Sequence, residues 1–430
     1  MINKYITATF LAVASIGNIS SQNVRPVPKL VVNIAIDQLR TDYIEAFIPY
    51  YSEGGIKKLL RNGAVYSNAQ YMFSPVDRAS SIASISTGTS PSSNGITGFR
   101  WLNKNTLIPV NCVDDNSYEG IFTKEGASPK NIITTTINDE LKIATEGDAI
   151  VYSIALERDA AVIGGGHAAD GALWFNKDNK CWCSSKYYFK KAPSWLESYN
   201  LLYANNFTED NVNANITNVA LECVNSCGMG TDDITDMLSL TYSVKIPVKK
   251  INKQQLQNTY IQLDKELEKL ISKLESKIGI NNLLFVVTST GYCDEKEINY
   301  EKYRIPSGTF YINRTANLLN MYLGAIYGQD KYIESCFYNQ IFLNLRQIEL
   351  KRINISDLLS RAQSFLIQNS GIKNVFTSND LMLYGDKNDS KLRNWYNPDN
   401  CGDLIIEVSP GWKLLNEDTK QLSLIHISEP

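Results

Sequence analysis

Apolar runs of strand length recur along the chain. Residues 29–36 (KLVVNIAI), 149–155 and 283–288 (LLFVVT) are continuous aliphatic and β-branched stretches, a pattern typical of strands buried in a parallel sheet. Residues 238–243 predict a further strand, and residues 64–69 a second short one near the start of the chain. These segments indicate one sheet assembled from distant parts of the chain.

Helical patterns lie between the strands. Residues 42–61 predict a helix, and the small polar residues 80–87, closed by Gly88, predict another. Apolar residues spaced by four and three over 256–274 predict an amphipathic helix that ends at Gly279. Alternating strands and helices predict an α/β fold with a largely parallel sheet.

Composition narrows the classes of function. The chain has 430 residues, 43% of them hydrophobic and 20% charged, with a net charge of −3, so it is a globular protein rather than a disordered one. It has no basic run of five residues, which argues against nucleic-acid binding. His167 and His426 are its only histidines, too few for a histidine-rich metal site.

The two ends of the chain differ from the rest. Residues 1–22 have the charged, apolar and polar parts of a signal peptide, which predicts a periplasmic or secreted protein. No later run is long enough to predict a membrane span. Residues 422–430 (LSLIHISEP) resemble a translated sequencing adapter, so we expect an α/β domain over residues 23–421 that is incomplete at its C-terminus.

Eight cysteines are compatible with disulfides in an exported protein. Cys181 and Cys183 are separated by one residue, and Cys223 and Cys227 by three. Neither pair has the Cys-x2-Cys spacing or the partnering histidine of a zinc site. Buried or disulfide-bonded thiols are therefore the favoured interpretation.

Four sequence blocks, in order, carry a resemblance to a known family: VVNIAIDQLRTDY, SPVDRASSIASISTGTSPSSNGITGFRW, IALERDAAVIGGGHAADGALWF and LLFVVTSTGY. They resemble the alkaline phosphatase superfamily, in particular the exported phosphatases with a threonine nucleophile and the type I phosphodiesterase/nucleotide pyrophosphatases. The resemblance implies an alkaline-phosphatase-like three-layer sandwich with a largely parallel central sheet and insertions.

The resemblance also implies which positions carry the chemistry. Active relatives hold two zinc ions, and Asp37 matches the first aspartate ligand. The nucleophile position holds Arg78, which stays protonated and cannot attack phosphorus. The positions that contact the phosphoryl group hold Phe99, Glu157 and Asp159, and the two carboxylates reverse the charge of the family's lysine and arginine.

The remaining ligand positions are also changed. Ile246 and Lys250 fall near an aspartate and a histidine of the family, and Ser289 and Thr290 fall on a consecutive aspartate and histidine. None of these side chains is a useful zinc ligand. The last histidine of the family would lie beyond residue 421. We therefore expect no zinc or other cofactor.

Two hypotheses follow. The first is a catalytically inactive relative, a pseudoenzyme, with a binding or scaffold role for an unknown partner, which could be a protein or a small anionic ligand in the former cleft. The alternative is a metal-dependent phosphomonoesterase or phosphodiesterase with a rearranged site, using a serine of the 80–84 segment. We further expect Arg78 to form an ion pair with Asp37 or Asp77, and His167 to be structural.

Overall fold

The computed structural model of the protein describes residues 27–203, 212–244, 252–292, 300–383 and 390–416. A seven-stranded sheet lies at its centre. In spatial order the strands are β4 (Gly120–Ile121), β7 (Cys181–Ser185), β6 (Gly171–Asn176), β5 (Val151–Ala155), β8 (Asp236–Ser243), β1 (Leu30–Asp37) and β9 (Leu283–Ser289). The five strands from β6 to β9 run parallel, whereas β7 and β4 are antiparallel to their neighbours. The predicted α/β fold with a largely parallel sheet is confirmed.

The helices alternate with the strands along the chain. They are α1 (Thr41–Phe47), α2 (Ile56–Asn62), α3 (Arg78–Thr87), α4 (Pro91–Asn94), α5 (Ile137–Ala144), α6 (Arg158–Gly165), α7 (Ser194–Tyr203), α8 (Val212–Cys227), α9 (Lys253–Ile278), α10 (Ile312–Tyr327), α11 (Leu345–Leu350), α12 (Ile355–Leu366), α13 (Ser378–Met382) and α14 (Ser390–Trp395). The amphipathic helix predicted to end at Gly279 is α9.

Successive side chains of β1 point alternately to the two helical layers that cover the central sheet. Ile34 and Ile36 belong to the core on the side of α8 and α9, whereas Ala35 belongs to the core on the side of α3 and α6. Because side chains two apart in a strand share a face, Asp37 lies on the α3 and α6 side. The strand thus delivers this carboxylate to the layer that carries Arg78.

A smaller sheet follows in the chain. It is antiparallel, in the order β11 (Ile333–Phe337), β12 (Gln340–Leu343), β14 (Leu404–Val408) and β13 (Ile372–Thr377), and it has its own core with α10 and α12. Two short pairs complete the strands, β2 (Arg100–Leu102) with β3 (Pro109–Asn111), and β10 (Gly308–Tyr311) with β15 (Trp412–Leu415).

Three local predictions were wrong. The helix expected over 42–61 is interrupted between α1 and α2, since Pro49 cannot donate in a helix and Gly54-Gly55 weakens one. Residues 64–69 form no strand. The strand at 283–288 exists but is not buried, because in the described part of the chain β9 pairs with β1 alone and leaves Leu284 47% exposed.

Among the described residues, no helix combines the length and apolar character needed to cross a bilayer. No disulfide joins any two of the seven cysteines in the described ranges. Cys293, His426 and residues 1–22 and 422–430 lie outside the described residues.

Candidate functional site

Asp37 lies at the carboxyl end of β1, with 6% of its surface exposed. Its Oδ1 accepts a hydrogen bond from the Thr290 hydroxyl at 2.8 Å. Thr290 directly follows β9, the parallel neighbour of β1, and its backbone N–H donates to the carbonyl of Ile36 at 3.1 Å. Two positions that the resemblance assigns to metal ligands are therefore hydrogen-bonded to each other.

Asp77 organises the start of α3. Its Oδ1 accepts from the backbone N–H of Ser80 at 2.8 Å, and Ser80 returns the bond in a capping box. Its Oδ2 accepts from the backbone N–H of Phe99 at 2.8 Å. Burial raises the pKa of Asp77 above its ordinary value. This carboxylate is engaged by the backbone and holds the turn that presents Arg78.

Arg78 and Asp159 form the central ion pair of the site. Arg78 Nη2 lies 2.9 Å from Asp159 Oδ1, and Nε lies 3.2 Å from Oδ2, a two-point contact. The side chain of Asp159 is 5% exposed and that of Arg78 is 25% exposed. Burial alone would lower the pKa of Arg78, but the adjacent Asp159 raises it well above its ordinary value, so the guanidinium stays charged.

The partner predicted for Arg78 was therefore wrong. Both oxygens of Asp77 accept backbone N–H groups, and Asp37 accepts from Thr290. Asp159 lies in the first turn of α6, which packs against α3 and brings its carboxylate to the guanidinium.

The other two positions expected to contact a phosphoryl group offer no side-chain hydrogen-bond donor to its oxygens. Glu157 is the N-cap residue of α6 and is exposed, with no side-chain capping bond. Phe99 offers only an aromatic ring, and its backbone N–H is committed to Asp77. Arg158 lies between the two carboxylates in sequence, but its Nη2 contacts Asp114 at 2.5 Å.

The residues present do not fit a pair of zinc ions. Of the described positions matched to the metal site, Asp37 alone carries a carboxylate, and the Ser289 hydroxyl donates to the carbonyl of Leu39 at 2.8 Å. Within the described ranges, no group of three or more His, Cys, Asp or Glu side chains could hold a metal ion. Ile246 and Lys250 lie outside the described residues. The expectation of no zinc stays a prediction.

The serines considered as alternative nucleophiles lie in α3. Ser80 Oγ donates to Asp77 Oδ1 at 2.8 Å, and Ser81 Oγ donates to the Asp77 carbonyl at 2.6 Å. Both residues are fully buried. Ser84 Oγ is buried without a hydrogen-bond partner. Among the residues that the structure describes, no histidine lies beside any of the three to act as a base.

His167 lies apart from this site. Its Nδ1 is 2.9 Å from Asp139 Oδ2, and its Nε2 is 3.0 Å from the carbonyl of Ile132. The hydrogen bond with Asp139 raises the pKa of His167, because both ring nitrogens face acceptors and the imidazolium satisfies both. The ring connects the first turn of α5, which holds Asp139, to the loop that precedes this helix.

The sequence signals for this site were incomplete. Aspartate is a preferred N-cap residue, so Asp77 is a local signal for the start of α3. The Arg78–Asp159 pair spans 81 positions, so no local pattern reports it. The available signal was that Arg78 and Asp159 carry opposite charges at two positions that the resemblance assigns to one site.

Comparison with known proteins identifies the class. A sequence profile of the type I phosphodiesterase / nucleotide pyrophosphatase family matches residues 31–428. The chain belongs to this family, within the alkaline phosphatase superfamily.

The chain is similar to proteins named as alkaline phosphatases. Alkaline phosphatase PafA of Elizabethkingia meningoseptica is 25% identical over 465 residues, which cover 94% of this chain and 85% of that protein. Alkaline phosphatase PhoV of Synechococcus elongatus is 25% identical over 446 residues, covering 90% and 80%. The crystal structure of wild-type PafA superposes with a TM-score of 0.77 at 24% identity, covering 91% of this chain and 86% of that one, which confirms the fold.

Proposed function

We propose that this protein is a catalytically inactive relative of the alkaline phosphatases that uses the former cleft for binding or as a scaffold. The observation that carries the proposal is the Arg78–Asp159 ion pair at the positions matched to the nucleophile and to a phosphate-binding arginine. A guanidinium that stays protonated and is paired with a carboxylate cannot act as a nucleophile.

The charges around Arg78 support the same proposal. Asp37, Glu157 and Asp159 would repel a phosphate dianion, and the pairing of Arg78 with Asp159 leaves no net positive charge to attract one. Two zinc ions would need several anionic or imidazole ligands, and the described positions supply one carboxylate. We therefore expect neither zinc nor another cofactor.

The sequence left open a protein or a small anionic ligand for the cleft. The surplus of carboxylates around Arg78 favours a protein, because these carboxylates would repel a free anion. The partner itself is unknown. We further propose export to the periplasm or the medium, which depends on the signal-peptide pattern of residues 1–22.

A second candidate is a phosphate-ester hydrolase with a rearranged metal site. It is favoured by the relatives, which carry the name alkaline phosphatase. It requires a nucleophile other than Arg78, and Ser80 and Ser81 already donate to the backbone or to Asp77. For this reason we place it second.

One experiment separates the two candidates. The protein is purified with zinc present, its metal content is measured, and turnover of p-nitrophenyl phosphate and of a p-nitrophenyl diester is assayed. The alkaline phosphatase of E. meningoseptica, prepared in parallel, is the positive control. We expect substoichiometric zinc and turnover no higher than the buffer. Stoichiometric zinc with turnover would establish the hydrolase and refute the inactive relative.

A further inference from the structure

Strand β9 forms one edge of the central sheet, and in the described part of the chain it pairs with β1 alone. The carbonyl of Asn282 and the N–H of Thr290 bond on the β1 side, at 2.8 Å and 3.1 Å. The even-numbered residues of β9 therefore face β1. Because successive residues of a strand direct their backbone groups to opposite sides, Leu283, Phe285 and Val287 direct their N–H and C=O groups away from the sheet.

A hydrogen bond from outside the sheet marks one end of this open edge. Ser289 follows the same alternation, and its carbonyl accepts from the Tyr71 hydroxyl at 2.7 Å. Among the described residues, no group bonds to the outward backbone atoms of Leu283, Phe285 or Val287. These residues therefore form the open edge of β9.

The side chains of β9 are apolar and remain exposed. Leu284 is 47% exposed, Val286 40% and Val287 37%. Leu284 and Val286 share the face on the α3 and α6 side, and Val287 lies on the opposite face. Charges, prolines and bulges are the features that keep an edge strand from pairing, and the sequence LLFVVTS and its regular register with β1 have none of them.

We propose that β9 pairs antiparallel with β9 of a second copy of the chain, about a two-fold axis at Phe285, so that the two central sheets join. On this axis Phe285 lies opposite Phe285 of the second copy, and Leu283 lies opposite Val287 of the second copy. Directly opposed residues with outward backbone groups exchange both hydrogen bonds in an antiparallel pair. Every N–H and C=O of the open edge then has a partner.

The two ends of the open edge determine the register of this pairing. An axis at the next residue along the chain would place Leu283 opposite Ser289, whose carbonyl is already bonded to Tyr71. An axis at the preceding residue would place Val287 opposite Asn281, which lies in the 3-10 turn before β9. The axis at Phe285 is the one that pairs all the outward groups with one another.

The same axis covers the exposed side chains. Leu284 of each copy lies opposite Val286 of the other, on one face, with about 4.5–5.5 Å between Cβ atoms. On the opposite face Val287 lies opposite Leu283 of the second copy. Since β9 has no charged side chain, no like charges meet along the strand. The exposed apolar surface of this edge is thus complementary to itself.

The size of the contact determines its strength. A single strand pair buries less than the roughly 800 Å² that each partner of a stable complex usually contributes. Ile280 precedes β9 and is 59% exposed, and Met72 is 67% exposed and adjacent to Tyr71, which contacts the other end of the strand. The two-fold axis brings the Met72 end of one copy to the Ile280 end of the other. We therefore expect a dimer that dissociates on dilution, whatever the cleft at Arg78 binds.

Sedimentation equilibrium of the full chain over a roughly hundredfold range of concentration tests the dimer. Val286→Lys places two like charges on diagonal positions of the strand pair and should raise the dissociation constant at least about tenfold. Met321→Lys makes the same kind of change at a 69% exposed position of α10 and should leave the constant unchanged. Both variants should keep the urea midpoint of the unmodified chain. A monomer at every concentration, or a dimer that Val286→Lys leaves intact, would overturn the proposal.

Disulfide cross-linking tests the register. Positions 284 and 286 of different copies lie directly opposite each other, whereas two copies of the same position are diagonal, about 7–8 Å apart and too far for a disulfide. An equimolar mixture of Leu284→Cys and Val286→Cys should therefore form a cross-linked dimer under mild oxidation, and each variant alone should not. Peptide mass spectrometry identifies the link between positions 284 and 286. Absence of this link in the mixture, or equal linking in each variant alone, would refute the two-fold axis at Phe285.

Discussion

Arg78 and Asp159 lie in different helices, and each presents its charge to the other through two contacts, at 2.9 Å between Nη2 and Oδ1 and at 3.2 Å between Nε and Oδ2. The resemblance places an uncharged nucleophile at the first position and a cation at the second. Under that match, the cation lies at the nucleophile position and a carboxylate lies where the family carries its cation. The pair compensates itself without an external ligand.

Removing Arg78 should lower the stability of the protein, because the carboxylate of Asp159 then stays buried without its partner. Arg78→Met leaves the Asp159 carboxylate buried without a partner, and we expect it to lower the free energy of unfolding by about 2–3 kcal/mol, since Arg78 is partly solvated. The double variant Arg78→Met/Asp159→Leu should recover most of this loss. Urea denaturation measures both, and a double variant no more stable than the single one would contradict the assignment.

Restoring the nucleophile alone should not restore catalysis. In Arg78→Thr the remaining positions still lack the ligands for two cations, and without them the threonine hydroxyl keeps too high a pKa to attack at neutral pH. We expect no turnover of p-nitrophenyl phosphate with zinc present. Zinc-dependent turnover from this single change would mean that a metal site exists outside the described residues.

Asp264 should be a major determinant of stability. It is 1% exposed, and its carboxylate accepts the backbone N–H groups of Ser52 at 2.6 Å and Ile56 at 2.7 Å, which fixes the start of α2 against α9. Asp264→Ala leaves the buried N–H of Ile56 and the half-buried N–H of Ser52 without this acceptor, at a cost of about 3 kcal/mol. Asp178→Ala, at an exposed position, is the matched control and should leave the urea midpoint unchanged.

The His167–Asp139 contact should make stability depend on pH. The pKa of His167 is raised by its bond to Asp139, so its contribution is complete below about pH 6.5 and is lost as the pH rises through the folded-state value. Burial would raise the pKa of Asp139, but the bond from His167 and backbone donors lower it to about 2, so its contribution is lost only as the pH falls through that value.

We therefore expect a higher melting temperature near pH 5.5 than near pH 8.5. His167→Gln keeps an amide donor but does not titrate, so it should reduce this difference. Thermal denaturation at the two pH values measures it. A difference of the same size in the variant would show that other groups cause the dependence.

The hydrophobic pattern of the sequence determined those elements whose own residues show which of their faces are buried. The continuous aliphatic run that became β1 specifies a strand buried on both faces, as in a parallel sheet. The four-and-three spacing that became α9 specifies a helix with one buried face, because an α-helix repeats every 3.6 residues. The wrong predictions concern segments whose burial depends on which other strands or helices pack against them. Leu284 has the character of a core residue, but its strand lies at the edge of the described sheet.

The sequence by itself also determined which residue types occupy the positions that the resemblance matches to the family's site, since the identities of Asp37, Arg78 and Asp159 need no coordinates. Only the tertiary structure decided how they pair. Asp37 is held by Thr290 and Asp77 by the backbone, so the guanidinium pairs with the carboxylate that the packing of α6 on α3 brings to it. Ion pairs depend on distance in space, and residues 81 positions apart come together only when their helices pack.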